Sequence, residues 1–340
     1  MNRLNKKYLI FGGIGIVILV VAVFFVVKGH NIVVGGTDLK TPTANVSSIA
    51  GLPCDNAGRR PVAVMLESDT EARPLSGIGQ ADAVVEMPVT PNGITRFMAI
   101  YQCQDPKEIG AIRSAREDFI PLAAGFKTIY AHWGGEHGAL DELNSHIMDN
   151  INALEFDGTV FYRKTNIAPP HNGFTNLDRL FKQAKSFGYG LTDVFAGYSH
   201  SSDRPERNLS NIANSINIPY PSPENVTWTY VSKDNDYVRT RGGTAEIDKN
   251  TGQQVSASVV AVLDTTSHIL HSGDQYIVVN TTGQGALHLY QNGIVIQGTW
   301  KKDPNSLNSK LFLYDGSGKE IKLVPGSIWF EWNPTWSGGY

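Results

Sequence analysis

The sequence predicts an α+β fold: a mixed, layered N-terminal domain of strands and helices, then a mostly antiparallel β C-terminal domain, preceded by a single transmembrane helix. Three observations carry this expectation. Short apolar runs bounded by Gly, Pro and Asn recur along the chain, which is the pattern of strands. Apolar residues at helical spacing lie between residues 60 and 190, and one long uncharged stretch, residues 8–27, stands ahead of everything else. The chain, at 340 residues, also exceeds the usual single-domain size. Only 18% of residues are charged while Gly, Asn, Ser and Thr are frequent, which favours turns and strands over long surface helices.

Arg3, Lys6 and Lys7 precede the run 8–27, and Lys28 closes it. At about 1.5 Å per residue such a helix crosses a hydrocarbon layer of roughly 30 Å. The basic cluster comes first, so the N-terminus is expected in the cytoplasm and the rest outside, with the cell membrane as partner through residues 8–27. A cleaved signal peptide is the competing reading. The run is longer than a signal-peptide core, however, and Phe24, Phe25, Val26 and Val27 at its end offer no small-residue cleavage site. Removing the four basic residues of segment 1–30 from the total of 29 leaves 25 against 32 acidic ones, a net charge of −7. An acidic exported chain is a poor nucleic-acid binder.

Residues 31–59 read as a flexible tether, and the fold is expected to begin at Pro61. Cys54 and Cys103 are the only cysteines; in an exported chain they can form a disulfide or stay unpaired. In the N-terminal domain, 60–190, strands are expected over 61–66, 83–86, 94–102 and 127–133. A helix starting at Asp118 places Pro121 in its first turn, where the missing N–H is tolerated. Ala139, Leu140, Leu143 and Ile147 repeat at helical spacing, as do Leu177, Leu180, Phe181 and Ala184 after Thr175 as N-cap, with Gly188 as a stop. Residues 191–223, rich in Ser, Asn, Asp and Pro, read as a linker. The C-terminal domain, 224–334, shows strand-like runs over 226–231, 237–241, 258–263, 276–280, 286–290, 294–300, 311–314 and 328–332. Asn292 and Gly293 form a two-residue hairpin turn between two of them.

The chemistry concentrates around Arg113, Ser114 and Arg116, which stand between a strand-like and a helix-like run, where backbone N–H groups lack internal partners and attract anions. Arg96, Gly134, Gly135 and Asn172 complete the expected ligand-binding set, and His132, His171 and Glu86 are the candidate acid–base groups. The alternative is that the arginines form salt bridges with Asp82, Glu86 or Asp118 and merely fix the loop. His132, Glu136 and His137 do not match a zinc-motif spacing, so no metal is expected. Ser114 lacks a nucleophile-elbow context, and no Gly-rich phosphate loop occurs, which argues against a serine hydrolase and against a nucleotide cofactor. Trp228, Trp300, Trp329, Trp332 and Trp336 all fall in the C-terminal domain, either as core or as platforms for sugar rings.

Several short motifs in one order carry a family resemblance: Arg73-Pro74-Leu75-Ser76-Gly77, Ala81-Asp82, Glu86-Met87-Pro88-Val89, Gly93-Ile94-Thr95-Arg96, the stretch from Ile109 through Gly110, Ala111, Ile112, Arg113, Ser114 and Ala115 to Arg116, Gly134-Gly135 and Ala168-Pro169-Pro170-His171-Asn172. In the second half Trp228-Thr229-Tyr230, Tyr237-Val238-Arg239, Gly298-Thr299-Trp300-Lys301-Lys302 and Pro325-Gly326 continue it. Over about residues 60–333 the chain resembles the YerB-like family of bacterial surface proteins. The resemblance implies an α+β N-terminal domain, a separate β-rich C-terminal domain and surface attachment, usually as a lipoprotein; it implies no established reaction. The chain departs from the family in having a transmembrane segment rather than a lipobox, in Glu136-His137 after the glycine pair, and in Pro121 where a proline nearer Glu117 is expected.

The functional expectation is an extracytoplasmic cell-envelope protein with a polar Arg/His cleft for an anionic or glycan ligand. Its rivals are a cell-wall hydrolase using His132 or His171 with Glu86, and a non-catalytic envelope scaffold.

Overall fold

The computed structural model describes residues 45–204, 211–270 and 276–336. Of the two units into which the chain divides, the described residues all belong to the second, Asn45–Tyr340. The expected anchor at 8–27 lies outside the described residues, among which no helix is long and apolar enough to cross a membrane. Among the described residues, both hydrophobic cores are built from position 49 onward, so the second unit carries its own core.

The strands are β1 (Val62–Glu67), β2 (Ala83–Pro88), β3 (Thr95–Tyr101), β4 (Ile109–Gly110), β5 (Ile129–His132), β6 (Asn150–Asn152), β7 (Tyr162–Arg163), β8 (Gly173–Thr175), β9 (Ser215–Ile218), β10 (Val226–Val231), β11 (Asp236–Arg241), β12 (Thr244–Ala245), β13 (Ser256–Ala257), β14 (Val259–Ile269), β15 (Ile277–Val279), β16 (Gly283–Gln291), β17 (Ile294–Lys302), β18 (Phe312–Asp315) and β19 (Ile328–Trp336). Among the described residues four short α-helices, Ile120–Gly125, His137–Asn144, Ala153–Phe156 and Leu177–Ser186, all belong to the N-terminal half. The protein is thus two-domain and mostly β. The N-terminal half mixes parallel pairs, β1–β5 and β5–β6, with antiparallel ones, and the C-terminal half is antiparallel apart from β14–β19.

The halves meet inside one sheet of 11 strands, ordered β18-β17-β16-β14-β19-β2-β3-β1-β5-β6 with β15 on β14. The joint is β19, parallel to β2 through the pairs Ile328 with Ala83 to Glu331 with Glu86. Its side chains alternate: Ile328, Phe330 and Trp332 enter one core with the helix Ile120–Gly125, while Trp329 enters the other beneath the five-stranded sheet of β9 to β13. Both faces are covered, which is why every residue of β1 and β2 is buried and the apolar run 62–66 of β1 does not alternate. Each large side chain so buried contributes about 1.5–3 kcal/mol.

Several expectations need correction. Residues 45–59 are part of the fold rather than tether: Ile49 is fully buried, Ser47 Oγ donates to Gln102 Oε1 at 2.6 Å, and a disulfide joins Cys54 to Cys103 with Cα atoms 5.8 Å apart. The segment shows little periodicity because side-chain bonds, the disulfide and turn-type backbone bonds such as Ser47 N–H to Leu52 O at 2.9 Å hold it, and not a regular element. The connecting segment 191–223 buries Phe195, Tyr198 and Tyr220 and contains β9. The last N-terminal helix is capped by Asn176, whose side chain accepts from the Arg179 N–H at 3.1 Å, while Thr175 belongs to β8 and donates its hydroxyl to Val160 O. The helix His137–Asn144 stops before Ile147, which is 38% exposed, because His146 takes a positive φ of 59°. Trp228, Trp300, Trp329 and Trp332 are at most 2% exposed, so they are core rather than sugar platforms; the side chain of Trp336 lies outside the description. Asn292 and Gly293, at φ 57° and 68°, make the left-handed two-residue turn that joins β16 to β17.

Candidate functional site

The stretch from Ile109 to Arg116 is threaded between the end of β1 and the turn after β5. The Arg113 N–H donates to Met65 O at 3.0 Å and the Trp133 N–H to Arg113 O at 3.0 Å. Ala115 N–H reaches Gly134 O at 2.9 Å, and Ser114 Oγ donates to Trp133 O at 3.2 Å. Gly134 takes φ 63°, a conformation that suits glycine, and Gly135 packs so closely on Leu140 that a Cβ would lie 3.1 Å from its Cγ. Glu136 then caps the following helix, accepting from the N–H groups of Gly138 and Ala139 at 2.6 and 2.7 Å. The departure from the family at Glu136 is therefore a helix start.

Antiparallel pairing sets Glu67, the last residue of β1, opposite Arg96 in β3. Glu67 Oε1 lies 3.3 Å from Arg113 Nε, and Glu67 Oε2 lies 2.9 Å from His171 Nδ1. Asp69 follows two residues later, 4.0 Å from the Arg113 guanidinium. Burial, and then the hydrogen bond to Asp69, push the Glu67 carboxyl up to about 7. Burial works against ionisation of Asp69 too, but its bond to Glu67 and the Arg96, Arg113 and His171 charges hold it below the usual range. The two carboxyl groups therefore divide the labour, with Glu67 poised near neutrality and Asp69 ionised. Glu67, Asp69 and His171 present ligand atoms within 4.8 Å of one another, but a cation there would face Arg113 at contact distance, so the donor set suits a metal poorly.

Arg96 is 4% exposed, and its Nε and Nη1 receive no acceptor. Burial, then the neighbouring Arg116 and Arg113 charges, push its guanidinium down to about 9, so it remains charged at neutral pH. Arg116, 6% exposed, donates Nη1 to Ala115 O at 2.8 Å, stacks 4.4 Å from the Tyr276 ring centroid and leaves Nε without a partner. It lines a cavity of about 370 Å³ together with Ser114, Gly135, Glu136 and Tyr276. Asp118, below it, is pushed up to about 7 chiefly by burial, although its Oδ2 accepts the Val279 N–H at 3.0 Å.

The expected residues thus divide. Ser114, Arg116 and Gly135 line one cavity, Arg113 and His171 both meet Glu67, Arg96 is buried opposite Glu67 with Arg113 and Arg116 as its neighbouring charges, and Gly134 shapes the turn after β5. Asn172 is 4% exposed and ties its own loop, its Oδ1 accepting from Arg163 Nη1 at 3.0 Å. His132 is not with them: fully buried, it stacks on Tyr130, with Nδ1 2.7 Å from Gly134 O and Nε2 3.2 Å from Asn150 Oδ1. Burial lowers its pKa. The carboxylates beside His171 are Glu67 and Asp69, which sequence reasoning passed over. Their signal was the pair of acids directly after the apolar run 61–66, where a strand ends and a loop begins.

Glu86 lies elsewhere, in a closed ionic network between the halves. Its carboxylate pairs with Arg239 and Arg241 and accepts from Thr95 Oγ1 at 2.5 Å. Arg239 also meets Glu246 at 2.8 Å and Glu331 at 3.1 Å, and Arg241 meets Glu224 at 2.5 Å, which Arg73 reaches at 2.6 Å. Burial opposes ionisation of Glu86, but Arg239 and Arg241 outweigh it and hold its carboxyl below the usual range. Glu331 goes the other way: burial, against the attraction of Arg239, pushes it up to about 8 and keeps it protonated at neutral pH. Glu86 is a fastener, fully enclosed, and its expected acid–base role has no open site to act on.

A mostly β protein of two halves, the first with a mixed sheet and the second with antiparallel ones, defines the class. The chain belongs to the family described as protein of unknown function (DUF3048), whose N-terminal domain matches residues 49–190 and whose C-terminal domain matches residues 216–330. It is 34% identical over 280 residues to the Bacillus subtilis (strain 168) protein named "Putative lipoprotein YerB", covering 80% of this chain and 81% of that one. The crystal structure of YerB protein from Bacillus subtilis superposes with a TM-score of 0.77 at 32% identity, over 85% of this chain and 97% of that chain.

Proposed function

We propose that this is a membrane-anchored, extracytoplasmic envelope protein whose N-terminal domain binds an anionic ligand at the face made by Arg96, Arg113 and Arg116. The observation that carries the reading is the state of the two most buried of these three arginines. Arg96 and Arg116 are almost wholly buried, yet Arg96 Nε and Nη1 and Arg116 Nε have no acceptor. Buried guanidinium nitrogens without partners are costly, and an oxyanion is the acceptor of matching charge and geometry. The uncharged run 8–27 behind a basic cluster, and the name of the Bacillus subtilis relative as a putative lipoprotein, support the location. Phosphate-bearing or carboxylate-bearing envelope polymers are the ligands of matching charge.

A second reading, hydrolysis, is favoured by one contact. Glu67, raised to about 7, touches His171 at 2.9 Å, which is the arrangement of an acid–base pair beside an anion site. The two separate in one assay: the Asn45–Tyr340 unit is incubated with anionic wall polymer and with peptidoglycan fragments, and both retention and released product are scored. Binding without chemistry gives retention that falls in Arg113→Ala and Arg116→Ala and no product from any variant. Product that disappears in a folded His171→Ala protein overturns the binding-only reading, and absence of retention by the unaltered protein overturns the proposal.

A further inference from the structure

A second cavity, of about 580 Å³, opens where the two halves meet, and it shares no lining residue with the Arg116 cavity. Its volume is in the range of small-molecule sites. Pro74 and Leu75 come from the N-terminal half, and Pro223, Ala245 and Ile247 from the C-terminal half, so its lining is chiefly apolar. The inner end is ionic. Glu246 stands in the wall at 7% exposure; its Oε2 is taken by Arg239 Nε at 2.8 Å, while its Oε1 is buried and receives no hydrogen bond. Arg241, also in the wall, pairs with Glu86 and Glu224 through its Nη atoms, while its Nε lies 3.5 Å from Glu246 Oε2.

The charges behind this wall are balanced. Arg73, Arg239 and Arg241 face Glu86, Glu224 and Glu246, and burial favours the neutral form of Glu331 beside Arg239. A ligand of either sign would upset that balance, whereas a neutral group that donates one hydrogen bond would complete it. We propose that the cavity binds a small neutral amphiphile: an apolar body seated against Pro74, Leu75, Pro223 and Ile247, bearing a hydroxyl or amide-type N–H that donates to Glu246 Oε1. Closing the site needs both halves, so occupancy braces their junction.

The probe is N-phenyl-1-naphthylamine, a neutral apolar fluorophore with a single N–H, titrated into the Asn45–Tyr340 unit, which carries both cores by itself. The expected result is a saturable, one-to-one fluorescence enhancement. The N-methylated analogue, lacking the donor, should bind about tenfold more weakly. Ala245→Trp, at an exposed position of the wall, should fill the cavity and abolish binding while leaving the circular dichroism spectrum unchanged; Thr244→Trp serves if that variant fails to fold. Arg116→Ala should bind the probe normally, so loss of anion binding and loss of amphiphile binding are read independently. Equal affinity for the N-methyl analogue, an unaltered isotherm in the tryptophan variants, or no saturable enhancement overturns the inference.

Discussion

Replacing Glu331 by Gln should be nearly neutral at pH 7, whereas replacing Glu86 by Gln in the same network should be severely destabilising. Glu331 is already protonated there, since burial pushes it up to about 8. A glutamine keeps its contacts: an amide oxygen in place of Oε1 accepts from Trp228 Nε1 and Arg239 Nη1, and an amide nitrogen in place of Oε2 donates to the Tyr220 hydroxyl. The expected change is under about 1 kcal/mol, the size of an isosteric exchange. Glu86 holds two buried arginines at once, and removing its charge strands both, at about 3–5 kcal/mol. The pH dependence sharpens the comparison. A carboxyl whose folded pKa is raised from 4.5 to about 8 contributes stability that is full below the lower value and lost as pH rises through the upper one. Between roughly pH 5 and 9 that loss is on the order of 4 kcal/mol at full effect. Urea unfolding followed by tryptophan fluorescence at several pH values is the assay, because Arg239 lies 5.0 Å from the Trp228 ring and 4.5 Å from the Trp329 ring. Glu331→Gln should remove the alkaline fall seen in the unaltered protein. Equal destabilisation by the two substitutions at pH 7, or an alkaline fall unchanged in Glu331→Gln, would refute the assignment of the proton.

The other expectations concern separate parts of the molecule. Asp118, raised to about 7 from 3.8, should likewise contribute stability below about pH 4 that is lost as pH climbs through 7; Asp118→Asn should flatten that part of a melting-temperature profile, and parallel profiles would contradict it. Cys54→Ser with Cys103→Ser should lower unfolding stability by about 4 kcal/mol, the chain-entropy value for a loop of this size, as read from urea midpoints with and without reductant. His132→Ala should cost stability through its buried contacts without changing ligand affinity in the folded fraction; a folded variant that loses binding would place His132 at the site after all.

How much of this was legible in the sequence depends on whether the signal was local. The runs 61–66 and 328–332 announced β1 and β19, and Asn292-Gly293 announced a hairpin, because burial on both faces and a left-handed turn each leave a mark on neighbouring residues. That β19 lies beside β2 was not legible, since no residue of either strand identifies its partner across more than two hundred positions. The two-residue strand β4 and the bridge-like β8 are held by tertiary pairing and show no period. The arginine loop was legible because three arginines in short motifs beside a helix start are unusual, whereas its acids were not, because Glu67 and Asp69 look like the polar start of any loop. Glu86 misled for a related reason. A carboxylate in a motif reads the same whether it faces solvent or two buried guanidinium groups, and only the β11 register, which delivers Arg239 and Arg241 to it, decides between them.

The central claim, an anion held by the arginine face, is tested most directly by calorimetric titration of the Asn45–Tyr340 unit with a soluble glycerol-phosphate polymer, at low and at physiological salt. The unaltered protein should give a saturable isotherm that weakens with salt, and the folded Arg113→Ala/Arg116→Ala double variant should give none. An unchanged isotherm in the double variant, or no heat from the unaltered protein at low salt, would contradict the account.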